Sequence, residues 1–140
     1  MYRRILVAVE NSPADQTILK HVVPLAALTG AELLLVHVAD GWAARHFSDL
    51  GLRESEEITQ DREYLDELAR SLAGQSIAVT TELAMGDPAT ELIRLADARK
   101  ADLIAMSTHG HRFLNDVLRG TTVDRVRHLV KIPVLLLRVP

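Results

Sequence analysis

Apolar positions in this chain alternate between two periods. Ile5 to Val9 is a short, nearly continuous apolar run, the pattern of a strand buried on both faces. Ser12 and Pro13 then signal a helix start, with serine as cap, proline at the first helical position and Asp15 three residues after the cap. Ile18, Val22, Leu25, Ala26 and Thr29 recur at helical spacing, Pro24 removes one backbone donor within that helix, and Gly30 closes it. Glu32 to Val38 predicts a second buried strand. Asp40 to Ser55, which includes Trp42, is the least patterned stretch and reads as a loop with at most a helical turn.

Leu65, Leu68, Ala69 and Leu72 mark the apolar face of a second helix ended by Gly74. Ile77, Val79, Thr81 and Leu83 alternate, as expected of a strand near a sheet edge. Gly86-Asp87-Pro88 repeats the helix-start signal, and Ala89, Leu92, Ile93 and Ala96 form the stripe of a third helix. Leu103 to Met106 is a fourth strand, Val123, Val126 and Val130 face one side of a last helix, and Pro133 to Val139 is a fifth strand. Strand and helix thus alternate five times. The predicted fold is α/β: one domain over residues 1–140, a doubly wound, Rossmann-like, five-stranded parallel sheet with helices on both faces.

Composition narrows the function. The chain has 140 residues, 48% of them hydrophobic and 25% charged, with a net charge of -3. A general grip on nucleic acid would need a clustered basic excess, so none is expected. Without cysteine there is no disulfide, thiolate metal site or cysteine nucleophile. The start, MYRRILVAVE, runs directly into a strand, and the most apolar region, His21 to Val38, is broken by Pro24, Gly30, Glu32 and His37. Neither a signal peptide nor a membrane span is expected, and the predicted location is the cytoplasm.

In such a sheet ligands bind at the carboxyl ends of the strands. The predicted loops there are Ala8 to Ser12, Val38 to Gly41, Leu83 to Asp87 and Ser107 to Thr122. In the last, Ser107-Thr-His-Gly110 is followed after nine residues by Gly120-Thr121, which together suit a phosphate cradle at a helix N-terminus. The same residues also fit a plain turn followed by a capping box of Thr121 and Asp124. His109 and His111 supply at most two metal ligands, so no metal site is expected; they suit hydrogen bonds within the loop or an approach to phosphates. Arg112 suits either a phosphate contact or a solvated loop position. His37 reads as a satisfied core or strand-end group, His21 and His128 as surface or boundary groups, and the run Glu54, Glu56, Glu57, Asp61, Glu63 as a solvated helix face.

At this point a resemblance becomes specific. MSTHGHRFLNDVLRGTTVDRVRHLVKIPVLLL, together with ILVAVENS, the HV ending the second strand and GDPATELIRLADARKADLIAMSTHG, resembles the universal stress protein family over essentially the whole chain. Nucleotide-binding members of that family carry Gly, two residues, Gly, nine residues, Gly, then Ser or Thr. Its later elements correspond here to Gly110, Gly120 and Thr121, while its first glycine is Ser107, and the family's acidic residue after the first strand, usually Asp, is Glu10. The resemblance implies ATP or another adenine nucleotide, with or without Mg²⁺. Glu10 would face the adenosine, Ala8, Val38 and Met106 would line the base pocket, and Gly120, Thr121 and Thr122 would hold phosphates. It also implies a homodimer through the strand Pro133 to Val139, which would cover an apolar sheet edge. The function so implied is a stress-response regulatory module acting on a protein partner; the alternative is a dimeric interaction scaffold that has lost nucleotide binding. An enzyme is not expected. There is no Gly-Lys-Ser/Thr phosphate loop, no glycine in Glu10-Asn-Ser-Pro-Ala-Asp15 to admit phosphates, and no evident nucleophile with its base.

Overall fold

A computed structural model describes residues 1–40, 52–108 and 120–139, with side chains for 1–39, 56–108 and 121–139. The elements run β1 (Arg4–Ala8), α1 (Ala14–Thr29), β2 (Glu32–Asp40), α2 (Leu52–Leu72), a 3-10 turn (Ala73–Gln75), β3 (Val79–Gly86), α3 (Pro88–Ala98), β4 (Leu103–Thr108), α4 (Gly120–Leu129) and β5 (Val134–Arg138). The strands form one parallel sheet in the order β3-β2-β1-β4-β5. The winding therefore reverses between β1 and β4, which puts the crevice of a doubly wound sheet at their carboxyl ends.

Strand alternation divides the core in two. Ile5, Val7 and Val9 of the first strand segment, with Leu33, Leu35, Leu103 and Ala105, pack against Ile18, Leu19, Val22 and Ala26 of α1 and Leu65, Leu68 and Leu72 of α2. Leu6 and Ala8, with Leu34, Val36, Val38, Ile104 and Met106, pack against Ala89, Leu92, Leu95 and Ala96 of α3 and Val123 and Val126 of α4. β1 is apolar at every position from Ile5 to Val9 because both of its faces are covered. The mixed polarity of β3 matches its place at an edge, with Ala84 its only fully buried residue.

The expected serine cap is present at α1: Ser12 Oγ accepts from the Ala14 amide at 3.2 Å, and Asp15 accepts from the Ser12 amide at 3.4 Å. Beyond that cap Asp15 is fully buried and also accepts from the amides of Glu10 and Asn11. The ends of α2 differ from the sequence expectation in two places. The helix expected from Leu65 onward begins at Leu52, so residues 52–55 belong to α2 rather than to a loop, while 41–51 lie outside the described residues. Its end is not made by Gly74, which sits in the 3-10 turn; the left-handed residue that redirects the chain is Ser76, at φ 58°. Gly30 and Asp87 act as expected. Gly30 takes φ 75° and donates to the Ala26 carbonyl at 2.8 Å, and Asp87 accepts from the Thr90 amide at 3.0 Å.

Candidate functional site

The carboxyl ends of β1, β2 and β4 bring three of the expected pocket residues into one layer. Ala8 lies beside Val36 in the β1–β2 register, Val38 is one same-face position further along β2, and Met106 follows the β1–β4 register past Val7↔Ala105. All three belong to the core on the α3 and α4 side. Ala8 is the smallest of them and sits on the central strand. The layer is thus apolar, with its smallest member at the middle.

Ser107 lies elsewhere. It follows Leu103 and Ala105 in the strand alternation and pairs with Leu137, all of them on the α1 and α2 side. Its side chain is 3% exposed, and no hydrogen bond joins its hydroxyl to another described residue among those identified. Ser107, which stands at the family's first glycine, thus follows Met106 directly without sharing its face.

α4 begins at Gly120, so the amides of Gly120, Thr121 and Thr122 lie in its first turn, at the positive end of the helix dipole. The Thr121 side chain is exposed and that of Thr122 is buried. His109, Gly110 and Arg112 lie outside the described residues, as does His111.

The turn from β1 into α1 is built around a carboxylate. Asn11 adopts φ 59°, a left-handed conformation that asparagine tolerates better than most residues. This turn directs the amides of Glu10, Asn11 and Ser12 onto Asp15, at 2.9, 2.9 and 3.4 Å. Successive amides converging in this way make a small anion-binding concavity, and here the chain fills it with its own carboxylate. The turn thus has no amides to offer a phosphate, unlike the glycine-rich first loop of a dinucleotide-binding fold. Ser12 Oγ donates to Glu10 Oε1 at 2.9 Å, which holds the Glu10 carboxylate beside the end of β1.

Tyr64 of α2 donates its hydroxyl to Asp15 Oδ2. Burial pushes the Asp15 carboxyl above its ordinary value, against the Tyr64 and backbone hydrogen bonds that pull it down. The Tyr64 hydroxyl is pushed up by its own burial and by its bond to Asp15, so it remains a donor. Nearby, His37 Nδ1 donates to the Val9 carbonyl at 3.0 Å and Nε2 lies 3.4 Å from Asp61. Desolvation lowers the His37 imidazolium, but Asp61 and the Val9 carbonyl outweigh it and hold its pKa above the ordinary value. His37 is therefore the satisfied strand-end group expected, and His21 and His128 are exposed.

Sequence reasoning missed the roles of Asp15, Tyr64 and Asp61. Asp61 and Tyr64 do lie on the same face of α2 as Leu65 and Leu68, at spacings of three and four, and that was the available signal. Among the described residues no group of three or more His, Cys, Asp or Glu could hold a metal ion, and no helix is long and apolar enough to cross a membrane. A cleft of about 460 Å³ lined by Ile93, Arg94, Lys100, Leu129 and Lys131 lies at the amino ends of β4 and β5. It is remote from the strand carboxyl ends, where the topology places ligands, and the topology is the better guide while part of that rim lies outside the described residues.

Comparison with known proteins agrees with this architecture. The universal stress protein family pattern matches residues 1–138. Universal stress protein MJ0531 of Methanocaldococcus jannaschii is 27% identical over 146 residues, covering 100% of this chain and 84% of the relative. The solved structure of protein MJ0577 superposes with a TM-score of 0.83 at 24% identity, covering 100% of this chain and 98% of that one. A universal stress protein from Archaeoglobus fulgidus, solved in complex with dAMP, superposes with a TM-score of 0.71 at 22% identity, covering 96% and 97%. At these identities the structural likenesses speak for the fold, and the family assignment rests on the match along the sequence. This chain belongs to the universal stress protein family.

Proposed function

We propose that this protein is a cytoplasmic regulatory module that binds an adenine nucleotide at the carboxyl ends of β1, β2 and β4 and acts on a protein partner as a homodimer. The observation that supports the reading is the placement of three unlike groups at the carboxyl end of the sheet. Ala8, Val38 and Met106 give an apolar floor, Glu10 gives a carboxylate at the end of the central strand, and α4 opens with a turn of amides. A base, a sugar and a phosphate chain need these three in that order. The dAMP complex of the Archaeoglobus fulgidus relative supports the same ligand class.

The residues present fit such a ligand. Glu10 would accept from ribose hydroxyls or the adenine amino group, and the amides of Gly120, Thr121 and Thr122 would hold phosphate oxygens, joined by His109, Gly110 and Arg112 from the preceding segment. ATP, with or without Mg²⁺, would supply an anionic chain to those donors. Ser107, turned to the opposite face, leaves the floor open, so its presence in place of a glycine does not by itself argue for a scaffold that has lost its nucleotide. The module acts by occupancy rather than turnover.

Calorimetric titration of ATP and Mg²⁺ into nucleotide-stripped protein tests the reading. Binding in the micromolar range is expected, about -8 kcal/mol. Absence of binding at millimolar ATP would leave the interaction scaffold as the function.

A further inference from the structure

The buried carboxylate under the first turn has a role that the family pattern does not require. We propose that Asp15 is a positioning residue. Its carboxylate, gripped by the amides of Glu10, Asn11 and Ser12 and by the Tyr64 hydroxyl, fixes the Glu10 carboxylate at the end of β1 and makes α2 part of the site's frame. The role in ligand binding rests on the nucleotide reading above; the latch itself does not.

Three features carry the inference. First, Asp15 is 0% exposed, and its oxygens accept from the amides of residues 10–12 and from the Tyr64 hydroxyl on α2. A buried carboxylate without such partners would be costly, so the turn and the carboxylate hold each other in place. Second, the turn is under conformational tension at Asn11, whose φ of 59° is uncommon for a residue with a side chain. Its amide is one of the three bound to Asp15, and the bond holds the left-handed state against relaxation. Third, Glu10 is the residue immediately before Asn11. Its amide donates to Asp15 Oδ1 and its carboxylate accepts from Ser12 Oγ, while Ser12 Oγ also accepts from the Ala14 amide at 3.2 Å. Both ends of Glu10 are thus tied to the same turn, and a shift of the turn moves the carboxylate.

Tyr64 extends this frame to the far side of the α1–α2 layer. Its hydroxyl binds the Oδ2 that also accepts from Asn11 and Ser12. Three residues earlier on the same helix, Asp61 reaches His37, which in turn holds the Val9 carbonyl. α2 therefore grips the end of β1 twice, at Val9 through His37 and at residues 10–12 through Asp15. A displacement of α2 along its axis would disturb the acidic group offered to a ligand.

The experiment uses Asp15→Asn, Tyr64→Phe, Glu10→Gln and the double variant Glu10→Gln/Asp15→Asn, with two readouts. Amide hydrogen exchange of residues 10–12 is followed by NMR in nucleotide-free protein, and ATP affinity is measured by calorimetry. Asp15→Asn and Tyr64→Phe are expected to speed exchange at the three amides by about tenfold, with the β2 and β4 amides unchanged. Asp15→Asn is expected to weaken ATP by about tenfold alone, and to add little in the Glu10→Gln background, because it acts through Glu10. Additive losses in the double variant, or faster exchange with unchanged affinity, overturn the positioning role. Unchanged exchange in both single variants overturns the latch itself. Should Asp15→Asn fail to fold, Tyr64→Phe with its double variant Glu10→Gln/Tyr64→Phe gives the same two readouts. A wild-type chain that binds no ATP, with the accelerated exchange still seen in the two single variants, overturns the nucleotide reading and supports the latch.

Discussion

At the scale of single residues, Asp15 and His37 are polar groups at the carboxyl end of the sheet, each held by partners from more than one element. His37 shows the consequence for pH. Asp61 and the Val9 carbonyl hold its imidazolium above the ordinary value, so the folded chain binds that proton more tightly than the unfolded chain. The pair's contribution is fully present below the ordinary imidazole pKa and is lost as pH rises through the raised folded value. Asp61→Asn should therefore cost more stability at about pH 5.5 than at about pH 8.5, as measured by urea denaturation at each pH. An equal cost at both would mean that His37 is neutral throughout and that Asp61 serves only as a hydrogen-bond acceptor. The sequence identified His37 as a satisfied strand-end group, because a histidine among Leu33, Leu34, Leu35 and Val36 needs partners. It did not identify the partners, since Asp61 lies within an acidic run that is otherwise exposed, and only the fold singles it out. For the same reason Asp15 read as a helix cap: its spacing from Ser12 is right for one, and only tertiary burial shows that its oxygens face backward into the turn.

At the scale of elements, the strands and the helix stripes were legible because burial on two faces writes a plain pattern. β1, β2 and β4 are continuous apolar runs, and the alternation in β3 placed it correctly at an edge. Boundaries were legible where a cap is local chemistry, as at Gly30 and Asp87, and not where a helix continues on polar residues, as α2 does back to Leu52. The α3 cap gives the sharper prediction. Asp87 accepts from both the amide and the hydroxyl of Thr90, at 3.0 and 2.6 Å, and these bonds, with a smaller share from Arg125, hold its carboxyl below the ordinary value. Asp87→Ala should destabilise the fold by about 1 kcal/mol and lower Tm by about 4 °C, whereas Asp87→Asn should retain most of the cap. Thermal melts followed by circular dichroism would separate the two variants. Equal losses would transfer the effect to the exposed ion pair with Arg125, from which little is expected.

At the scale of the whole molecule, the open edge at β5 decides how copies would meet. Among the described residues β5 pairs with β4 alone, and Val134, Leu135, Leu136 and Leu137 are all only partly buried. In a parallel ladder alternate residues bond to the neighbouring strand. Ile104 donates to the Pro133 carbonyl and Val139 donates to the Thr108 carbonyl, so residues 133, 135, 137 and 139 face β4. Val134, Leu136 and Arg138 therefore turn their amides and carbonyls to the open side, where a flat apolar edge would recruit another strand. In the proposed homodimer the same strand of a second copy would satisfy it by two-fold symmetry and continue the sheet across the axis. Proline at Arg138 removes one outward amide while sparing the bonds to β4, and the Arg138 side chain is exposed, so little packing is lost. Arg138→Pro is expected to shift the protein from dimer to monomer in sedimentation velocity, with far-ultraviolet circular dichroism and the α3 cap's response to Asp87→Ala unchanged. A variant that stays dimeric would place the contact on a helix face and remove the β5 edge from the proposed dimer.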